Sequence, residues 1–182
     1  KYLKSLEATK SIFLVTNGQE PDMIQKLQDE DALPTQLYLS TNAADYESFM
    51  RINKPKYDDS WERWNKTLDM LKDLNTRTVL RITLIRDYND QKESIPDFAE
   101  MFRKASPHFI EIKSYMHIGR STNRLEHENM LEMDEVKNFS EEIAKQSKIF
   151  SIMDESIISR ISILQNNERF IDRFISTYAN TI

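Results

Sequence analysis

The chain of 182 residues has no cysteine, which removes disulfides, thiolate metal sites and a cysteine nucleophile from within it. It has two glycines, Gly18 and Gly119, and neither stands in a GxGxxG or Walker pattern, so glycine-rich phosphate loops are excluded too. Five prolines are too few for linkers or collagen-like repeats. No apolar run approaches the roughly 18 residues of a membrane-crossing helix, so no membrane partner and a cytoplasmic location are expected. Signal-peptide character is missing as well. Lys1 to Glu7 reads as an amphipathic helix entered in mid-course, without an initiator Met, so the chain is expected to begin inside a larger protein. Twenty-five Lys and Arg against 30 Asp and Glu give a formal charge of -5, which speaks mildly against nucleic acid unless cations gather locally.

What is present is alternation of two periods. Four strand-like runs end in polar residues: Ile12 to Gln19, Pro34 to Ser40, Arg77 to Arg86 and Phe109 to Tyr115. Helix-period segments lie between them. Pro21 and Asp22 open a short helix with Met23, Ile24 and Leu27 inward; Asp45 to Ile52 reads as another. Trp61, Trp64, Leu68 and Leu71 share a face of a third helix, with Asp59 and Glu62 spaced as a capping pair. Ser94 to Lys104 and Asp134 to Lys148 repeat the pattern. Lys148 to Met153 and Ser159 to Leu164 read as short late strands, and Glu168 to Tyr178 as a closing helix. Strand, helix, strand at this spacing implies right-handed crossovers and a parallel α/β sheet. A full eight-stranded barrel typically needs about 250 residues, which leaves a small doubly wound domain or the latter part of a partial barrel. In either, the carboxyl ends of the strands line one rim, where ligands bind.

The strand blocks carry a resemblance. Phe13-Leu14-Val15-Thr16-Asn17-Gly18-Gln19, Pro34-Thr35-Gln36-Leu37-Tyr38-Leu39-Ser40, Trp61-Glu62-Arg63, Arg77-Thr78-Val79 with Arg81-Ile82-Thr83-Leu84, and Phe109-Ile110-Glu111-Ile112-Lys113 resemble successive blocks of the radical S-adenosylmethionine enzymes that make 4-demethylwyosine in tRNA. The similarity covers roughly Ser11 to Lys145 in the family's order, and the tail from Ile149 is similar in outline to its wyosine-forming region. The resemblance implies the latter part of a partial (β/α)6 TIM-like radical-SAM barrel, entered at its third strand. Residues 1–148 would form that barrel and 149–182 a small C-terminal extension.

It also implies chemistry. In such enzymes cysteines after the first strand hold an iron-sulfur cluster, and reductive cleavage of S-adenosylmethionine yields a radical that takes hydrogen from the methyl group of 1-methylguanosine beside the anticodon. Pyruvate provides the carbons of the new ring, and an electron donor protein is needed. The cysteine loop is not in this chain, which is therefore expected to be inactive alone. Two departures stand out: Asp87 follows Arg86 and Ser114 follows Lys113 where the family usually has glycine, a change that bears on adenine placement. Asp154 to Ser159 lacks the family's late histidine.

The candidate residues follow from the rim. Asn17 and Ser40 are candidates for ribose or methionine contacts. Arg81, with Thr83 on the same strand face, needs an anionic partner such as a cofactor carboxylate. Asn89, Lys113 and Tyr115 are candidates near adenine or substrate. For the tRNA anticodon loop, Lys54, Lys56 and Tyr57 in one loop and Arg120, Ser121, Asn123 and Arg124 in another combine cations with a stacking ring. Each has a plainer alternative. Asn17-Gly18 is a turn dipeptide, Ser40-Thr41-Asn42 can cap a helix, Arg81 can pair with Glu111, lysines near strand ends are often surface residues, and both loops can be solvated. His108, His117 and His127 lack metal-ligand spacing, so no metal is assigned. Two further functions stay open: a non-catalytic barrel binding RNA or protein, and a radical S-adenosylmethionine enzyme with a small substrate.

Overall fold

In the computed structural model, which describes residues 1–175, six strands form one sheet: β1 (Phe13–Thr16), β2 (Gln36–Ser40), β3 (Arg77–Leu84), β4 (Phe109–Ser114), β5 (Phe150–Ser156) and β6 (Ile161–Asn166). Their order is β1-β2-β3-β4-β6-β5. The first four are parallel neighbours in chain order, with Ser40 opposite Arg81 and Arg81 opposite Glu111. Five helices connect or flank them: α1 (Pro21–Asp29), α2 (Tyr46–Asn53), α3 (Ser60–Met70), α4 (Ile95–Ala105) and α5 (Met133–Ser147).

The two-residue period of the strands decides which face is buried. Leu37, Leu39, Leu80, Ile82, Leu84, Ile110 and Ile112 are sealed from solvent and share one core with Trp64, Leu68, Leu71, Phe98, Phe102, Val136 and Ile143 of the helical segments. Full burial of each such side chain contributes about 1.5–3 kcal/mol. The alternate positions, Tyr38, Arg81, Thr83, Glu111 and Lys113, stay out of that core and form the second, more polar face of the sheet. Parallel direction then brings the ends of β1 to β4 to one rim.

Four elements differ from the sequence expectation. The late strands form a hairpin that runs antiparallel to β4 through β6, with a register shift between Ile152 and Asp154. Apolar alternation carries no information on strand direction. Asp59 does not cap α3; its carboxylate accepts instead from Arg63 Nε at 2.8 Å. The N-terminal segment holds one 3₁₀ turn, Leu3–Ser5, rather than a longer helix. Residues 168–175 of the expected closing helix are not helical, and the Arg77 guanidinium donates to the carbonyls of Asp172, Arg173 and Phe174; the rest of that segment lies outside the described residues.

Candidate active site at the carboxyl rim

Beyond β1 the chain must turn sharply, and Gly18 permits it with φ at +76°. A Cβ there would stand 2.8 Å from Leu39 Cδ1 and 3.1 Å from Trp64 Cδ1, so glycine is required by space as well as by conformation. Asn17 Oδ1 accepts from the Gln19 backbone N–H at 3.3 Å, which realises the turn role of this dipeptide. The turn frames a cavity of about 410 Å³ between the ends of β1 and β2 and the loop joining α2 to α3. Asn17, Gln19, Ser40, Asn42, Asn53, Lys54, Lys56 and Tyr57 line it over Phe49 and Trp64. That volume is in the range of small-molecule sites. Trp64 Nε1 donates to the Ser40 carbonyl at 3.1 Å and locks the wall. The Ser40-Thr41-Asn42 run does not cap α2, because Asp45 does, accepting from Ser48 N–H at 2.9 Å. Gln19, in the cavity wall, donates through Nε2 to the Ser60 carbonyl at 3.0 Å, while its buried Oε1 has no hydrogen-bond partner. A buried acceptor left unpaired is costly unless something else satisfies it.

One row below the rim, Arg81 Nε donates to Glu111 Oε1 at 2.7 Å and Nη2 to Oε2 at 3.4 Å. The guanidinium also lies 4.5 Å from the Tyr38 ring centroid. Burial, and then the Glu111 carboxylate, push the Tyr38 hydroxyl up to about 12. The expected anionic partner of Arg81 is thus a residue of the neighbouring strand rather than a cofactor carboxylate. Asn89 is likewise corrected. It is buried, its Oδ1 accepts from Ile85 N–H at 2.7 Å, and its Nδ2 donates to the carbonyls of Asn42 and Thr83, both at 2.9 Å. Its bonds hold the rim together and leave no donor for adenine. Tyr115 is buried with Ile85 and Leu125, and its hydroxyl meets His117 Nδ1 at 3.2 Å, so it too is structural here. Thr83 and Lys113 are register partners on the polar face, one step nearer the rim than Arg81. Lys113 forms no ion pair among the described residues.

A family model described as wyosine base formation matches residues 104–166. The S-adenosyl-L-methionine-dependent tRNA 4-demethylwyosine synthase of Methanocaldococcus jannaschii is 43% identical over 162 residues, covering 88% of this chain and 48% of the relative. The enzyme of the same name from Pyrococcus abyssi is 38% identical over 156 residues, 86% of this chain and 45% of the relative. By sequence, the chain belongs to the tRNA 4-demethylwyosine synthase family. It spans about half the length of these relatives. A solved structure described as TYW1 with a lysine-pyruvate adduct bound superposes with a TM-score of 0.76 at 42% identity, over 87% of this chain and 48% of that one. Coproporphyrinogen III oxidase from Escherichia coli, a radical SAM enzyme, shares the fold alone, with a TM-score of 0.54 at 12% identity. The mixed sheet, mostly parallel, fits part of a radical-SAM barrel.

Within this family member the residues selected for RNA divide. Lys54, Lys56 and Tyr57 line the large cavity with Asn17 and Ser40, so two separately chosen sets meet at one place. The Arg63 guanidinium stacks 4.8 Å from the Tyr57 ring centroid. Arg124 lies across the rim and lines a second cavity of about 80 Å³ with Arg51, Lys54, Ile52, Ile85, Tyr88 and Leu125. Arg120, Ser121 and Asn123 belong to the 3₁₀ turn Gly119–Asn123 and line neither cavity; the Ser121 hydroxyl donates to the Ile118 carbonyl at 2.7 Å. Gln19, Asn42, Asn53 and Arg51 were not selected from sequence. Asn42 and Gln19 do follow strand ends, and that position is the signal that singles them out. Among the described residues no three His, Cys, Asp or Glu side chains converge as metal ligands, and the chain has no cysteine. The residues present therefore do not fit an iron-sulfur cluster.

Proposed function

We propose that this chain supplies the substrate-facing part of a radical S-adenosylmethionine enzyme that converts 1-methylguanosine beside the tRNA anticodon, with pyruvate, into 4-demethylwyosine. The observation that carries this reading is the meeting of Asn17 and Ser40 with Lys54, Lys56 and Tyr57 in one cavity at the carboxyl rim, in a chain of this family. The 4Fe-4S cluster and its thiolates come from outside residues 1–182, so these residues alone do not catalyse, and electrons come from a partner protein. Residues 1–148 provide the partial barrel and 149–182 a C-terminal extension of one continuous sheet, and the wyosine-forming match, residues 104–166, crosses that boundary. No described helix is long and apolar enough to cross a membrane, and we place the enzyme, of archaeal type and of lyase class, in the cytoplasm.

The donor set suits the cofactor. The Asn17, Ser40 and Asn53 side chains offer uncharged hydrogen bonds of the kind that hold ribose hydroxyls, and Lys56 offers a cation for a carboxylate. The unpaired Gln19 Oε1 is an acceptor that a ligand N–H or a water can satisfy after a small side-chain shift. When bound and reduced, S-adenosylmethionine supplies hydrogen-atom abstraction from the N-methyl group. This chain's own part is placement: the Trp64 and Phe49 floor excludes water from one side, and Tyr57, half-exposed at the cavity wall, presents a ring on which an extruded base can stack.

The test is binding of a synthetic anticodon stem-loop to the full-length protein. Charge reversal by Lys54→Glu together with Arg120→Glu is expected to weaken binding by about tenfold or more at moderate salt, as phosphate contacts dominate such affinities. Unchanged affinity would refute the assignment of these loops to RNA.

A further inference from the structure

We infer that the small niche between Arg51, Lys54 and Arg124 is a binding subsite for one phosphate of the RNA backbone. The inference rests on the tRNA reading above and adds to it a specific place and a residue, Arg51, that the sequence did not mark. Three cations from two segments converge there: Arg51 from the last turn of α2, Lys54 from the residue that ends it, and Arg124 from the end of the 3₁₀ turn after β4. None of them is in an ion pair among the described residues, whereas Arg63, Arg81, Arg86, Arg103, Arg160 and Arg173 all are. In a chain of formal charge -5, three unneutralised cations around one hollow repel each other until an anion arrives.

The niche is built rather than incidental. Arg51 Nη2 donates to the Tyr88 carbonyl at 2.7 Å and its guanidinium stands 5.7 Å from the Tyr88 ring centroid, which fixes the side chain while leaving other N–H groups free. Its floor is Ile52, Ile85 and Leu125, part of the second hydrophobic cluster, and an apolar wall on one side strengthens charge interactions above it. At about 80 Å³ it has the room of two or three waters, each taking roughly 30 Å³ in the liquid. That is the scale of a single tetrahedral oxyanion and too small for a nucleobase. The larger cavity begins on the other side of Lys54, which lines both. A nucleotide can therefore leave its phosphate between the arginines and place its base on the Tyr57 ring at the near wall of the larger cavity, with the Asn17 and Ser40 side left to the cofactor. An acidic peptide would meet the cations but has no use for the adjoining aromatic cavity, so the seam favours RNA.

Lys54 offers a clean perturbation. Its φ of +45° lies in the left-handed region that asparagine tolerates well, so Lys54→Asn removes the charge without straining the helix end. The experiment measures the affinity of the full-length protein for an anticodon stem-loop carrying 1-methylguanosine across a series of salt concentrations. For the variant Arg51→Gln/Lys54→Asn/Arg124→Gln, the slope of log affinity against log salt is expected to become shallower by about 0.7, the value for one single-strand phosphate contact. Affinity at low salt is expected to fall by about tenfold. Lys104→Gln, whose ammonium is paired with Asp69 away from the rim, serves as control and should change neither quantity. Lys54→Asn alone should show a smaller fall of the same kind with an unchanged unfolding midpoint. Wild-type binding with a slope that the triple variant leaves unaltered overturns the niche while sparing the tRNA reading. Failure of the wild type to bind the stem-loop overturns both.

Discussion

At the scale of single residues, backbone conformation explains a departure that the sequence alone made troubling. Asp87 stands where the resemblance leads one to expect glycine, and its φ is +68°, the left-handed conformation that glycine adopts freely. Aspartate is among the residues that tolerate it, and Asp90 Oδ1 accepts from the Asp87 backbone N–H at 2.8 Å to hold the turn. A backbone shape that glycine adopts freely is thus reached with a different side chain. Asp87→Gly should leave stability unchanged or raise it by up to about 1 kcal/mol, whereas Asp87→Val should lower it by about 1–2 kcal/mol, both read from urea midpoints. His108 gives a pH signature. Its Nδ1 faces the backbone N–H of Thr78 at 3.1 Å, and burial, helped by Arg169 and Arg77, pushes its pKa down to about 4. In the unfolded chain it binds a proton near pH 6.5. Between those values the unfolded state holds more protons, so stability rises with pH there and is lost as pH falls from about 6.5 toward 4. His108→Gln should flatten that part of a pH-stability curve; an unchanged curve would contradict the burial argument.

At the scale of elements, the Arg81–Glu111 pair joins β3 to β4 on the face that the barrel interior would use. Glu111 is nearly buried and Arg81 a little over a quarter exposed, so removing one partner strands a poorly solvated charge. Arg81→Met should cost roughly 2–3 kcal/mol, discounted from fully buried cases for the partial exposure. Arg81→Met/Glu111→Leu should recover most of it, as a double-mutant cycle in chemical denaturation would report. Three of the four parallel strands were legible because Leu37 and Leu39, Leu80 and Ile82, and Ile110 and Ile112 alternate with Tyr38, Arg81 and Glu111. The direction of β5 and β6 was not, since period two reads alike either way. The helical spacing of Phe170 and Phe174 misled because the carbonyls of Asp172 to Phe174 are taken by Arg77, a contact across 95 or more positions. Arg81 and Asn89 looked like ligand contacts for a related reason. A polar residue on or just after a strand can face a cofactor or another strand, and only three-dimensional neighbours, Glu111 for one and Asn42 for the other, distinguish the two. Asn17, Ser40 and Lys54 came together at one cavity without being adjacent in sequence. Arg51 escaped notice because one arginine in a short helix carries no pattern.

At the scale of the whole molecule, the chain reads as the part of a barrel that presents a rim and lacks the cluster. Its sheet has an ordered polar face, a rim braced by Asn42 and Asn89, and cavities of about 410 and 80 Å³ that share Lys54. Everything proposed about function requires that cofactor and RNA approach the carboxyl ends of β1 to β4. The most direct measurement is a crystal structure of the full-length protein with S-adenosylhomocysteine bound. The account predicts the adenosyl or homocysteine moiety at the carboxyl rim, with Asn17 or Ser40 within hydrogen-bond distance of it. Binding at the amino ends of these strands, or on the helical side of the sheet, would contradict it.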